Sequence, residues 1–214
     1  ARQANRLAKC DNWTDDQLSK IELGDLSDEL AAISTVPMQG RELRLGERTN
    51  MAAYTQEVIE IRLSYDAIQA DMELDGYAFL LDASGKVCRD EDLIFFGNLV
   101  SADHAVSAAY CSEFPSISVC LCQVDDQYSK VDICFSAYGE DDNLNFSKVK
   151  NPVIQIICNG TEQFHLPLVN LLQEKCLVGL EFYRSNDSWK MNVIGRGYHG
   201  KLKTLCEQFG VEVM

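Results

Sequence analysis

The stretch Asp71–Asp82, DMELDGYAFLLD, passes abruptly from clustered carboxylates to an unbroken apolar run. Asp71, Glu73 and Asp75 stand two apart, so an extended backbone puts them on one side. Tyr77 to Leu81 is too short for a helix and is bounded by Gly76 and Asp82, which predicts a buried strand. Hard oxygen donors held at the mouth of a rigid strand are what calcium requires, roughly six to eight oxygens at about 2.3–2.6 Å. The plainer reading is an acidic loop that caps a sheet and serves only solubility. The flanking strands decide how the acids are used.

Upstream, Val58–Tyr65 reads VIEIRLSY, with Ile59, Ile61, Leu63 and Tyr65 on one face and Glu60, Arg62 and Ser64 on the other. That alternation predicts a half-buried strand, closed by Asp66. Downstream, DASGK (82–86) makes a turn and Asp92–Phe96 returns as strand, followed by a long, mostly polar connection over 97–116. Further strands are predicted at Ile117–Val124, Val131–Ala137, Val153–Cys158, Val178–Tyr183 and Trp189–Ile194, with DDQYSK, NGTEQ and RSNDS as turn signals. Near the end, Leu202, Leu205, Cys206 and Phe209 recur at helical spacing before Gly210. Many short strands with turns at this spacing predict an all-β fold, a β-sandwich of two antiparallel sheets carrying a C-terminal helix.

Residues 1–38 have a different texture. Thr14 and Gln17 have capping-box spacing, and Leu18, Ile21, Leu26, Leu30 and Ile33 suggest two or three short amphipathic helices ended by Thr35–Pro37. The expected organisation is a helical N-terminal extension, 1–38, and a sandwich domain, 39–214.

If successive strands run up and down, one end of the sandwich collects the close of Val58–Tyr65, the start of Tyr77–Leu81 and the close of Asp92–Phe96. The close of Val131–Ala137 falls there too. Asp66, Asp71, Glu73, Asp75, Asn98, Asp103, Glu140, Asp141 and Asp142 are then expected to crowd together. Converging carboxylates raise one another's pKa unless a cation relieves the repulsion. A divalent metal site built from Asp66, Glu73, Asp75, Asn98, Asp103, Glu140 and Asp141 is the resulting expectation.

The bulk charge narrows the partners. A formal charge of −14 repels phosphate backbones and anionic lipid, so nucleic acid is excluded as a first choice. No segment has the length and apolarity of a membrane span, and no signal-peptide layout is visible. Nine cysteines at irregular spacing, without a CxxC pair, fit free thiols in a reducing compartment, hence a cytoplasmic location. Cys120 and Cys122 would share one strand face and are read first as strand residues; if they face the surface, a redox role becomes worth testing. A P-loop, GxSxG elbow, HExxH and dinucleotide fingerprint are all absent, and His104, His165 and His199 lack metal-ligand spacing to any cysteine. The basic concentration Arg196, Tyr198, His199, Lys201 and Lys203 is expected to partner nearby carboxylates or remain solvated.

Three segments taken together resemble the TerD family of tellurite-resistance and stress-response proteins. They are MELDGYAFLLDASGKV, EDLIFFGNLVS and LVGLEFYRSNDSWKMNVIGRGYHGKL, supported by LSYDA (63–67) and NFSKV (145–149). The resemblance runs from about Leu43 to the C-terminus and leaves out 1–38. It implies a two-sheet sandwich, calcium binding through acidic loops at one end, and no enzymatic activity. It also implies work beside other stress-system proteins, as a cytoplasmic or membrane-peripheral scaffold. The family's Asp-Leu-Asp element falls on Glu73, Leu74 and Asp75, and Asp66 and Asn98 fall on matching strand ends. One departure stands out. Where typical members carry a Gly- and Asp-rich loop, this chain reads VSADHAVSAAYCSEFPS, whose acids are Asp103 and Glu113. Fewer carboxylates mean weaker calcium binding or none. Two functions are therefore expected: a non-enzymatic calcium-binding module, or a calcium-independent adaptor with a degenerate acidic site.

Overall fold

In the computed structural model the described residues are 38–109, 113–169, 173–186 and 188–211. The helices expected within 1–38 lie outside them, Met38 excepted. In chain order the strands are β1 (Arg41–Glu42), β2 (Arg48–Asn50), β3 (Val58–Ser64), β4 (Ala67–Ile68), β5 (Met72–Leu81), β6 (Leu93–Ile94) and β7 (Val106–Ala108). They continue with β8 (Ser116–Cys120), β9 (Lys130–Gly139), β10 (Val149–Lys150), β11 (Val153–Cys158), β12 (Thr161–Pro167), β13 (Cys176–Ser185) and β14 (Ser188–Tyr198). A helix, α1 (Leu202–Phe209), follows them.

One six-stranded sheet has the order β1-β12-β11-β3-β8-β7 and the other β2-β14-β13-β9-β5-β6, with β4 and β10 forming a separate two-stranded ladder. Every pairing is antiparallel except the short β1–β12 contact. The inner faces meet over a core that includes Ile59, Ile61, Leu63, Ile117 and Ile154 from the first sheet. Leu74, Leu80, Ile133, Phe135 and Phe182 answer from the second. The all-β sandwich is thus observed, with its closing helix.

The continuous apolar run Tyr77–Leu81 has a two-sided explanation. Ala78 and Leu80 face the inter-sheet core, whereas Tyr77, Phe79 and Leu81 lie on the outer face beneath Leu205, Cys206 and Phe209 of α1. Phe79 and Phe209 stack with ring centroids 4.5 Å apart. A strand covered on both faces has no polar position to alternate with. The helix stops where Gly210 turns left-handed at φ 86°, its N–H and that of Val211 both donating to the Cys206 carbonyl.

Two expectations are corrected. The acidic stretch is not a loop: β5 begins at Met72, and Glu73 and Asp75 pair in register with Tyr138 and Ser136. The connection 97–116 is not structureless, because it contains β7 and a bridge between Val100 and Ser107. A strand the sequence reading omitted, β12, follows the Asn159–Gly160 turn; both residues are left-handed there.

Candidate functional site

The strand ladders place most of the predicted acids at one end of the sandwich. Met72 pairs with Gly139, so the start of β5 and the close of β9 coincide, with Glu140, Asp141 and Asp142 just beyond. Ser64 pairs with Val153, and Asp66 donates its N–H to the Lys150 carbonyl at 3.0 Å, tying the close of β3 to the same end. Gly139 makes this junction possible, since any Cβ there would collide with the Asp71 carbonyl and Leu144.

Within this end the carboxylates are held by partners of their own. Glu73 Oε2 accepts from Tyr138 Oη at 2.5 Å, and Asp66 Oδ2 from Asn151 Nδ2 at 2.6 Å. Asp75 Oδ2 accepts from Tyr77 Oη at a long 3.4 Å, while the same phenol oxygen accepts from Ser136 Oγ at 3.0 Å. Burial, then the neighbouring Asp75 charge, pushes the Tyr77 phenol up, so it stays a proton donor. Asp141 Oδ1 accepts from the Asn143 backbone and side-chain nitrogens at 2.8 and 2.9 Å. Asp142 pairs with Lys201 at 2.6 Å, and that hydrogen bond and charge hold its carboxyl below the usual range. The contact links the acidic loop to the residue just before α1.

Asp103 does not join them. The hairpin Phe95–Asn98 reverses the chain, and the backbone then returns toward the opposite end before β7. There Asp103 Oδ1 accepts from Ser101 Oγ at 2.6 Å and the Ala105 N–H at 3.0 Å, and Oδ2 from the Asp125 N–H at 2.9 Å. Partial burial raises its pKa, but these three donors outweigh that and leave the net shift downward. The expected convergence of Asp103 with the other acids is therefore corrected: one unrecognised reversal moved it to the far end. Asn98 lies in the hairpin, with its Nδ2 donating to the Glu91 and Leu93 carbonyls at 2.9 and 3.0 Å. That amide nitrogen braces the turn.

Two further acids were missed. Asp92, read as the first residue of a strand, closes a 3-10 turn and is 2 % exposed. Its carboxylate accepts from the Cys88 and Arg89 N–H groups at 3.1 and 3.0 Å, Arg89 Nη2 at 3.1 Å and Tyr128 Oη at 2.5 Å. The Tyr128 phenol is pushed up to about 12, by burial first and by this bond second. Asp132, on β9 opposite Glu181 of β13, is buried, and its Oδ1 has no hydrogen-bond partner among the described residues. Burial, reinforced by the Glu181 charge and opposed by Lys130, raises its carboxyl to about 7. A solitary acid inside VDICF was a readable sign of a buried carboxyl.

The donor chemistry of the acidic end suits a hard cation, since every candidate is an oxygen donor. Its arrangement does not meet that requirement: among the described residues no three His, Cys, Asp or Glu side chains form a group that would hold a metal ion. No helix among them is long and apolar enough to cross a membrane.

Fold and site together define a class, a two-sheet sandwich domain closed by one helix and bearing carboxylates at one end. The TerD domain model matches residues 39–209, and the chain belongs to that family. It is 28% identical to Tellurium resistance protein TerD of Serratia marcescens over 75% of this chain and 91% of that protein. It is 30% identical to a protein of the same name from Alcaligenes sp, over 71% of this chain and 86% of the relative. General stress protein 16U of Bacillus subtilis (strain 168) is 28% identical, over 67% of this chain and 80% of its own length. A solved structure from Streptomyces coelicolor A3(2), described as a homologue of telluride resistance protein, superposes with a TM-score of 0.59 at 13% identity. That match covers 73% of this chain and 99% of the other, and it speaks for the fold alone.

Proposed function

We propose that this chain is a non-enzymatic binding module of the stress response, whose acidic end is its recognition surface and calcium the cation taken there. A stress-response role follows from membership of the TerD family, with relatives named for tellurium resistance and general stress. The observation that carries the finer reading is the register of β3, β5 and β9, which brings Asp66, Glu73, Asp75, Glu140 and Asp141 to one end. Asp66 and the 140–142 loop are exposed and Glu73 and Asp75 half-buried, so a cation would have to draw them off their present partners. That rearrangement, and the missing acids after β6, make the binding weak and favour a single ion. Other stress-system proteins, in a soluble or membrane-peripheral complex, are the partners this module would scaffold. The free thiols among the described residues support a cytoplasmic location.

A second reading rests on a specific observation. Asp103, a ligand in the expected set, is committed to holding two loops together at the far end. With that donor elsewhere, the module acts as a calcium-independent adaptor. Melting the protein in calcium and then in chelator separates the two, because a ligand at a hundredfold excess over Kd stabilises by about 2.7 kcal/mol. The calcium reading expects a rise in Tm that Glu73→Ala with Asp75→Ala abolishes. An unchanged Tm at millimolar calcium leaves the adaptor.

A further inference from the structure

The turn after β8 holds a pair of thiols that neither reading uses. Cys120 Sγ and Cys122 Sγ lie 3.4 Å apart, within reach of a sulfur hydrogen bond. The Gln123 N–H donates to the Cys120 carbonyl at 3.0 Å, closing a turn over 120–123. Such a turn keeps its first and last Cα atoms within about 7 Å, so the nearer pair 120 and 122 falls inside the span a disulfide bridges. The surrounding backbone fixes both residues: the Cys120 N–H donates to the Ala105 carbonyl at 2.8 Å and the Cys122 N–H to the Thr55 carbonyl at 3.0 Å.

The two thiols have unequal access. Cys122 is exposed, whereas Cys120 is 8 % exposed on the outer face of the first sheet, beside Val58. Burial, then the hydrogen bond and charge of Cys122, pushes the Cys120 thiol up, which disfavours its thiolate. Cys134 and Cys176 offer no such access, being buried beneath α1, nor does Cys206 on the buried face of that helix. Cys158 is buried in the inter-sheet core.

We infer that Cys120 and Cys122 form a dithiol–disulfide couple that exchanges with low-molecular-weight disulfides, with Cys122 attacking and Cys120 resolving. The Cys122 thiol loses its proton to solvent and its sulfur attacks one sulfur of R–S–S–R. A Cys122–S–S–R bond forms as the first RS⁻ leaves. The Cys120 thiol then loses its proton, its sulfur attacks Cys122 Sγ, and the second RS⁻ leaves. Each RS⁻ takes up one of the released protons. Two protein thiols are oxidised to one disulfide, and R–S–S–R is reduced by two electrons to two RSH. The bond would lock the turn between β8 and β9. This inference is independent of calcium.

Incubating the full chain with oxidised glutathione, trapping the remaining thiols with an alkylating agent and mapping the peptides tests it. Wild type is expected to lose two hydrogens and yield a peptide linked between Cys120 and Cys122. Cys120→Ser should instead stop at Cys122 carrying one glutathione, at least about tenfold more abundant than in wild type, because the intramolecular step outcompetes external thiol. Cys122→Ser should show neither product at the turn. The inference is overturned if wild type accumulates the same stable glutathione adduct as Cys120→Ser. Free thiols at 120 and 122 while Cys88 reacts would overturn it too. Should Cys120→Ser not fold, Cys120→Ala replaces it, and the wild-type linkage map decides by itself.

Discussion

The two ends of the sandwich spend the same residue type differently. At the far end, Asp92 and Asp103 take backbone N–H groups as well as side-chain donors, and each spans segments distant in sequence. At the acidic end, Asp66 and Glu73 are met by the amide of Asn151 and the exposed phenol of Tyr138, and Asp75 makes a long contact to the buried Tyr77 phenol. A carboxylate bonded to backbone is part of the fold, because moving it strands N–H groups that have no substitute. One bonded to mobile side chains is an exchangeable acceptor, free to trade a phenol for a cation or a partner's lysine. Asp141 stands between the two kinds, exposed at the acidic end yet taking the Asn143 N–H within its own loop.

The sharpest way to break this contrast is Asp92→Ala. The substitution leaves two backbone N–H groups and the Tyr128 hydroxyl without their acceptor, while Arg89 Nη2 keeps Tyr128 Oη at 2.8 Å. Each stranded donor costs about 1–3 kcal/mol, so a loss of about 3 kcal/mol or more should appear in the denaturant midpoint without a large change in m. A loss below about 1 kcal/mol would mean that the far end is no better anchored than the acidic one.

Asp132 sharpens the comparison from the other side, as a buried carboxyl with an unsatisfied oxygen. Its pKa is raised in the folded state to about 7, from 3.8. Between those values the folded chain binds more protons than the unfolded one, so stability falls as pH rises from about 4 to about 7 and then levels. The loss is on the order of 4 kcal/mol for a shift of this size. Asp132→Asn should remove that slope and raise stability at pH 8, measured by urea unfolding across pH. A wild-type curve flat from pH 5 to 8 contradicts it, once other titrating groups are matched by the variant.

Next comes Asp103→Ala, which unfastens the 101–105 loop from the turn at Asp125. Partial exposure lets water replace some of the lost bonds, so the expected cost is about 1–2 kcal/mol by denaturant melting. The depressed pKa gives the sign with pH. The stabilisation is present at neutral pH and is lost as pH falls below 3.8 through the lower folded value.

Where sequence reading succeeded or failed follows from what each pattern records. The alternation of Val58–Ser64 was legible because one face of β3 is in the core and the other is not. The run Tyr77–Leu81 was legible because both faces are covered. β12 stayed hidden because its outer positions look like a loop: Glu162 and His165 are polar yet bonded to each other at 3.1 Å, with Gln155 on Glu162 at 2.6 Å. The metal expectation failed for Asp103 through parity. Counting strands up and down works only if every reversal is counted, and the Phe95–Asn98 turn with its three-residue β7 leaves too short a trace in periodicity. Asp66, Glu73, Asp75, Glu140 and Asp141 fell on the counted side.

The smallest effect is the most telling for function. Glu73 and Asp75 point outward from β5, and the bonds given up by Glu73→Ala with Asp75→Ala include one to a half-solvated phenol and a long contact to Tyr77, which keeps Ser136. Without calcium the double variant should change stability by less than about 0.5 kcal/mol, in the range of ordinary surface substitutions. Removing two like charges from a chain of charge −14 works in the stabilising direction, which further reduces any loss. A loss comparable to that of Asp103→Ala would place these carboxylates among the acids that hold the fold. The acidic end would then lose two of the exchangeable acceptors it offers a cation or a partner.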